Sequence, residues 1–154
     1  MNSTFHQTYV IIIPAYNEEK SIARALNAIE KAATYSTARL RKVLICINGC
    51  TDHTEQKIID WNKNKKLPIK LLYSDPGYGT AVNTLFAYAR EHYPKDILIK
   101  TDADSIMKKN VINILLDQFV KHPKLVIVGG HPLPAISPNL SPIQSLLAKT
   151  FSLR

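Results

Sequence analysis

Two carboxylates separated by one alanine, Asp102-Ala103-Asp104, follow a short apolar run, Ile97-Leu98-Ile99. Such a run reads as a buried strand, so the pair falls where a strand ends and a loop begins. Ligands of open α/β sheets bind outside the carboxyl ends of the strands. Two hard oxygen donors on such a loop suit Mg²⁺ or Mn²⁺, and a dication held there can clamp a diphosphate. Asp104 is the expected direct ligand of that metal. Asp102 is expected on the same ion, on its bound water or on a ribose hydroxyl. Residues two apart in a strand diverge along the chain, so the pair serves one ion only where the backbone turns sharply. An isolated Asp-x-Asp marks a solvated turn more often than a metal site, so its neighbours must support it.

Three further polar segments occupy the same position after an apolar run. They are Pro14-Ala15-Tyr16-Asn17-Glu18-Glu19, Asn48-Gly49-Cys50-Thr51-Asp52-His53-Thr54, and the stretch from Asp75 through Gly77, Tyr78 and Gly79 to Asn83. Tyr16 offers a flat face and a hydroxyl to a nucleoside, or is a strand-end tyrosine. Asn17 and Glu18 can bond a ribose or base, or cap the helix that follows. Asp52 can accept from a base imide, or cap the next helix. Gly77 and Gly79 permit tight turns and close backbone approach, with a plain turn as the alternative. Asn83 lies one turn into a helix and faces either the site or solvent.

These segments need a scaffold that gathers them. Five apolar runs recur: Val10–Ile13, Val43–Ile47, Ile69–Tyr73, Ile97–Ile99 and Leu125–Val128. Most are continuous and rich in Ile, Val and Leu, as strands buried on both faces are. Helical spacing separates them. Ile22, Leu26, Ile29 and Ala33 form a first helix, with Asn17 or Ser21 as its cap. A second runs from Thr54 to about Asn62. A third carries Ala81, Val82, Leu85, Phe86 and Ala89, and a fourth Val111, Leu115 and Phe119, with Ser105 as a candidate cap. The alternation predicts an α/β fold: an open, mostly parallel, doubly wound sheet of Rossmann-like kind. Residues 1–131 form the expected domain. Pro132, Pro134, Pro138 and Pro142 break up the segment 132–154, and Ile143–Leu153 reads as the start of an amphipathic helix.

Composition bounds the function. The 154 residues can bury one core, with 45% apolar and 21% charged residues. No apolar stretch approaches the roughly 20 residues that span a bilayer, and Val10–Ile13 is too short for a signal-peptide core. A cytoplasmic location is the default expectation. Cys46 reads as a buried small hydrophobe and Cys50 as a turn residue. With His53 they lack a fourth ligand and a zinc-site spacing. The net charge of +8, with Lys63, Lys65, Lys66 and Lys70 clustered, suits a solvated face, a peripheral membrane contact or a phosphorylated small molecule. Aromatic and basic residues do not interleave as in RNA-binding sheets, so nucleic acid is not the expected partner.

The ordered set of segments resembles the nucleotide-sugar-binding half of family 2 glycosyltransferases, which have the GT-A fold. The likeness covers roughly residues 8–131. Ile11–Glu18 matches an apolar strand with P-x-Y-N-E, and Asn48–Thr54 loosely matches D-G-S-T-D-x-T. Asp75–Asn83 matches N-x-G-K-G-x-A-x-N, and Asp102–Asp104 matches the D-x-D motif. The resemblance implies transfer of a sugar, with inversion, from a UDP- or GDP-linked donor to an acceptor. It implies nucleotide contacts at Pro14, Ala15, Tyr16, Asn17, Glu18, Asn48, Asp52, Gly77, Gly79, Asn83, Asp102 and Ala103, and metal contacts at Asp104 and Asp102.

The chain departs from the pattern in three places. Ile47 and Asn48 stand where the family often has acidic residues, Cys50 replaces a serine, and Tyr78 takes the place of a lysine near the phosphates. Lys100 lies near the metal motif in sequence, with its direction open. Inverting transfer needs a general base, and after Asp104 the only acidic residue is Asp117, inside the fourth predicted helix. No base is therefore assigned, and the sequence reads as the donor-binding portion of a transferase. Two other readings stand beside it. A haloacid-dehalogenase-like phosphatase would use Asp102 and Asp104 but needs further acidic residues among the 50 that follow, and leaves Pro14–Glu18 unexplained. A non-catalytic nucleotide-binding module would keep the segments and lack the chemistry.

Overall fold

The computed structural model describes residues 7–64 and 67–130. Among the described residues four strands and four helices alternate: β1 (Thr8–Ala15), α1 (Ile22–Tyr35), β2 (Arg39–Asn48), α2 (Thr54–Lys63), β3 (Ile69–Ser74), α3 (Tyr78–His92), β4 (Ile97–Lys100) and α4 (Val111–Lys121). The strands form one parallel sheet in the order β3-β2-β1-β4.

The sheet is buried on both sides, and the two-residue period of the strands divides its side chains. Tyr9, Ile11, Ile13, Val43, Ile45 and Ile47 pack with Ile22, Leu26 and Ile29 of α1, Ile58 of α2 and Ile112 and Leu116 of α4. Val10, Ile12, Leu44 and Cys46 face Ala81, Leu85 and Ala89 of α3. Each buried isoleucine is worth about 1.5–3 kcal/mol relative to an exposed one. The small alanines of α3 let that helix lie close to the sheet.

The helix placement follows from handedness. From β1 the chain steps outward through β2 to β3, then returns across β1 to place β4 on its other side. Right-handed crossovers put helices of opposite steps on opposite faces, so among the described residues α3 is the one helix on its face. The point of reversal lies between β1 and β4, the topological switch point at which such sheets open a crevice.

Local sequence explains that opening. β1 pairs with β4 only over Tyr9–Ile12, and the last rung is Thr101 N donating to Ile12 O at 3.1 Å. β1 continues through Ile13, Pro14 and Ala15 with β2 as its partner. Pro14, which has no N–H, thus stands where β4 has already turned away.

Two expectations are corrected. Leu125–Val128 is not a strand: it has no ladder partner among the described residues, and Val126 and Ile127 are 86% and 79% exposed. An apolar run reports a demand for burial and does not by itself specify pairing. Ser105 does not cap α4; Asn110 precedes that helix, and Ser105 N instead closes a turn onto Asp102 O at 3.1 Å. The expected helix over Ile143–Leu153 and the proline-rich segment 132–154 lie outside the described residues.

Candidate functional site

The carboxyl ends of β1, β2 and β4 and the start of α3 surround one cavity of about 520 Å³. Its first wall is the β1 terminus: Pro14, Ala15, Tyr16 and Glu18. Asn48 forms its floor, 5% exposed, where its Oδ1 accepts from Ser74 Oγ at 3.3 Å. Pro76, Gly77 and Tyr78 supply a second wall, and Asp102, Ala103 and Asp104 a third.

The carboxylate pair meets its geometric requirement. Asp102 O accepts from Ser105 N, closing a four-residue turn over the motif. Ala103 is buried in the core beneath it, and the two exposed aspartates reach the same cavity on either side. Asp102 Oδ1 accepts from Lys100 Nζ at 2.6 Å, and that ammonium lies 5.4 Å from the centre of the Tyr78 ring. Burial pulls the Lys100 pKa down, but Asp102 and the Tyr78 hydroxyl hold it above the ordinary lysine value. Among the described residues no three His, Cys, Asp or Glu side chains form a metal cage. The aspartate pair fits Mg²⁺ or Mn²⁺, which binds through one or two carboxylates and completes its shell with water and phosphate.

The glycines do different work. Gly49, at φ +63, has no room for a side chain: a Cβ would come within 2.5 Å of Pro76 Cγ. That contact brings the β3–α3 loop to the end of β2. Gly77 precedes α3 with φ +142, a conformation open to glycine. Gly79, expected in a tight turn, is instead the second residue of α3.

Several expected site residues bind protein in this structure. Asn17 adopts φ 53, and its Oδ1 accepts from Thr51 N at 2.8 Å while Nδ2 donates to Thr51 Oγ1 at 3.2 Å. Asp52 Oδ2 accepts from Glu19 N at 3.0 Å, and Oδ1 accepts from Thr54 N at 3.0 Å and Thr54 Oγ1 at 2.5 Å. Glu18 N donates to Thr54 Oγ1 at 2.7 Å, and His53 N donates to Glu19 Oε2 at 3.1 Å. Cys50 Sγ donates to Ala15 O at 3.3 Å. The β1–α1 and β2–α2 loops are thereby laced together. Desolvation raises the Asp52 pKa, and the bonds from Thr54 and Glu19 outweigh it, leaving the carboxyl below its usual range. Ser21 occupies the cap position of α1 without a side-chain cap bond; its hydroxyl donates to the Glu18 carboxylate.

Asn17, Asp52, Gly79 and Asn83 do not line the cavity. Asn83 borders a separate groove with Phe86, Arg90 and Tyr93. Pro76 and Tyr78 do line it, although neither was singled out as a contact from the sequence. Tyr78 is 60% exposed, and its place in the motif, where the resemblance has a lysine near the phosphates, was the available signal.

Comparison with known proteins agrees with this architecture. The family model described as "Glycosyl transferase family 2" matches residues 10–151. The poly-beta-1,6-N-acetyl-D-glucosamine synthase of Staphylococcus epidermidis is 27% identical over 122 residues, 79% of this chain and 27% of that protein. The Escherichia coli enzyme named UDP-Glc:alpha-D-GlcNAc-diphosphoundecaprenol beta-1,3-glucosyltransferase WfgD is 26% identical over 125 residues, 80% of this chain and 45% of its own length. The chain thus spans less than half of these curated relatives. Among solved structures, the mannosyltransferase PcManGT from Pyrobaculum calidifontis in complex with GDP-Man and Mn²⁺ superposes with a TM-score of 0.60 at 25% identity, covering 82% of this chain and 35% of that one. S. aureus TarS in complex with UDP-GlcNAc gives a TM-score of 0.60 at 23% identity, covering 84% and 37%. The parallel sheet is that of these GT-A enzymes, and the family match extends over most of the sequence: the chain belongs to glycosyl transferase family 2.

Proposed function

We propose that this chain is the donor-binding part of a metal-dependent glycosyltransferase. It takes a UDP- or GDP-linked sugar together with Mg²⁺ or Mn²⁺ and presents the sugar for inverting transfer to an acceptor. One observation carries the reading: Asp102 and Asp104 line the same cavity as Tyr16 and the Gly77-Tyr78 turn. A nucleoside against Tyr16 would then have its diphosphate directed toward the aspartates, with the Gly77 backbone open to close approach. The neighbours crystallised with GDP-Man and Mn²⁺ and with UDP-GlcNAc support that donor class.

In this reading Asp104 is the primary metal ligand and Asp102 the second oxygen donor. When bound, the dication supplies Lewis-acid stabilisation to the leaving diphosphate. The residues of the chain orient the donor: Asn48 and Glu18 offer polar contacts at the floor and first wall, while Ala103 fixes the spacing of the two carboxylates from below. Asn17 and Asp52 act indirectly, by holding the first wall in place. The base that deprotonates the acceptor is assigned to none of the described residues. Residues 1–131 constitute the donor domain. The charge of +8 suits peripheral contact with an anionic membrane surface from the cytoplasmic side. Among the described residues no helix is long and apolar enough to cross a membrane.

The test is titration of UDP and GDP with and without Mn²⁺, followed by the same titration of Asp104→Ala. We expect metal-dependent binding in the parent chain and its loss in the variant, with unchanged thermal unfolding in the absence of ligand. Equal binding by both proteins refutes the assignment. Release of nucleoside diphosphate from a bound donor then separates a transferase from a non-catalytic module.

A further inference from the structure

The cavity presents a charge problem to the ligand it would receive. Glu18, Asp102 and Asp104 put three carboxylates on its walls, and among the described residues no basic side chain lines it. A nucleotide diphosphate is itself anionic, so one dication leaves the filled site with excess negative charge. Such a site needs a further cation at its rim.

Lys100 is at that rim. The residue ends β4, and the strand period puts it on the same face as Leu98, which packs with the α3 side of the sheet. Tyr78 begins α3 on that face. The lysine therefore reaches between two cavity residues, with Nζ 2.6 Å from Asp102 Oδ1 and 5.4 Å from the Tyr78 ring centre. Its ammonium is a compact charge on a flexible stem, able to change partners by rotation alone. Asp102 cannot give the same oxygen to Lys100 and to a dication at full strength. The aromatic face of Tyr78 keeps the ammonium at the rim when Asp102 lets it go.

We propose that Lys100 is the diphosphate-contacting residue of this site, and that without ligand it occupies the position against Asp102 which the metal takes when the donor binds. The proposal rests on the donor-binding reading above. It makes metal and lysine competitors before the nucleotide arrives and partners on its phosphates afterwards. Two opposite effects of one substitution follow, and an ion pair that only neutralised Asp102 would give the tighter Mn²⁺ binding without the lost diphosphate preference.

The experiment compares the parent chain with Lys100→Met and Lys100→Arg, each first checked by thermal unfolding. Three quantities are measured: Mn²⁺ binding alone, the preference for UDP over uridine, and the preference for GDP over guanosine, both with Mn²⁺ present. For Lys100→Met we expect several-fold tighter binding of Mn²⁺ alone. We also expect a loss of about tenfold in the diphosphate preference, the scale of one hydrogen bond to a charged group. Lys100→Arg should keep most of that preference. A parent chain that prefers diphosphates, with a Lys100→Met variant that prefers them equally, overturns the role of Lys100 and leaves the donor-binding reading standing. Mn²⁺ binding alone that is unchanged in Lys100→Met overturns the exchange. A parent chain with no preference for either diphosphate overturns both.

Discussion

Asp52 provides a direct test of how the site is built, because it can act on a ligand or on the protein, and the structure commits its carboxylate to the protein. Three donors converge on it: Thr54 N and Glu19 N at 3.0 Å each, and Thr54 Oγ1 at 2.5 Å. Hydrogen bonds to a charged group contribute about 1.5–3 kcal/mol each, but bonds sharing one acceptor are not additive. Asp52 is only partly buried, so water replaces part of what is lost. Asp52→Ala should therefore cost about 2–4 kcal/mol, a fall in Tm of about 5–15 °C for a chain of this size. Asp52→Asn should cost nearly as much. An amide that keeps its oxygen toward Thr54 turns its NH2 against the Glu19 N–H, placing donor against donor. The assay is reversible urea unfolding of the parent and both variants across pH. The folded carboxyl titrates below its ordinary range, so its stabilisation is present above the unfolded pKa of about 3.9 and is lost as pH falls through the lower folded value. The gap between parent and Asp52→Ala should accordingly be constant near neutrality and close only below about pH 4. A loss under about 0.5 kcal/mol, the range of ordinary surface substitutions, would refute the bracing role, and a fall in nucleotide affinity without loss of stability would return Asp52 to the ligand.

Other substitutions test the same frame. Gly49→Ala should cost about 2–4 kcal/mol in chemical unfolding, combining the strain of a positive φ with a methyl driven against Pro76. It should also weaken nucleotide binding, because Pro76 lines the cavity. Tyr73→Phe removes an exposed hydrogen bond to Glu55 of 2.6 Å and should change stability by less than about 1 kcal/mol. The bond to Glu55 is the main cause of the raised Tyr73 pKa, so Glu55→Gln should let that phenol ionise at lower pH, read as phenolate absorbance in an alkaline titration of the two proteins.

The strands were legible wherever burial on both faces left a continuous apolar run with a neighbour to receive it. Val10–Ile13 and Val43–Ile47 lie at the centre of the sheet and are the clearest cases. Leu125–Val128 carries the same signal with no pairing among the described residues, because hydrophobicity specifies removal from water and not the partner. The meeting of Tyr16, Glu18, Asn48, Gly77 and the two aspartates around one cavity was legible from topology, since parallel strands deliver all their carboxyl ends to one edge. What each polar side chain does there was not legible. Asn17 and Asp52 have the types suited both to ligands and to loops, and only the distances to Thr51, Thr54 and Glu19 distinguish the two uses. Lys100 was ambiguous for a related reason. The strand period gives its face, and only the distances to Asp102 and the Tyr78 ring show what it reaches there.

The lacing of the first two loops gives the crevice unequal sides. Tyr16 and Glu18 sit on a bank anchored by bonds that Asn17, Glu18, Glu19 and Cys50 donate and that Thr51, Thr54, Asp52 and Ala15 accept. On the far bank, the Asp102–Ser105 turn is held by its own backbone bond, by one lysine and by Ala103 buried in the core beneath it. The cross-links between loops thus concentrate on the Tyr16 side, and the aspartate side is left with fewer polar ties.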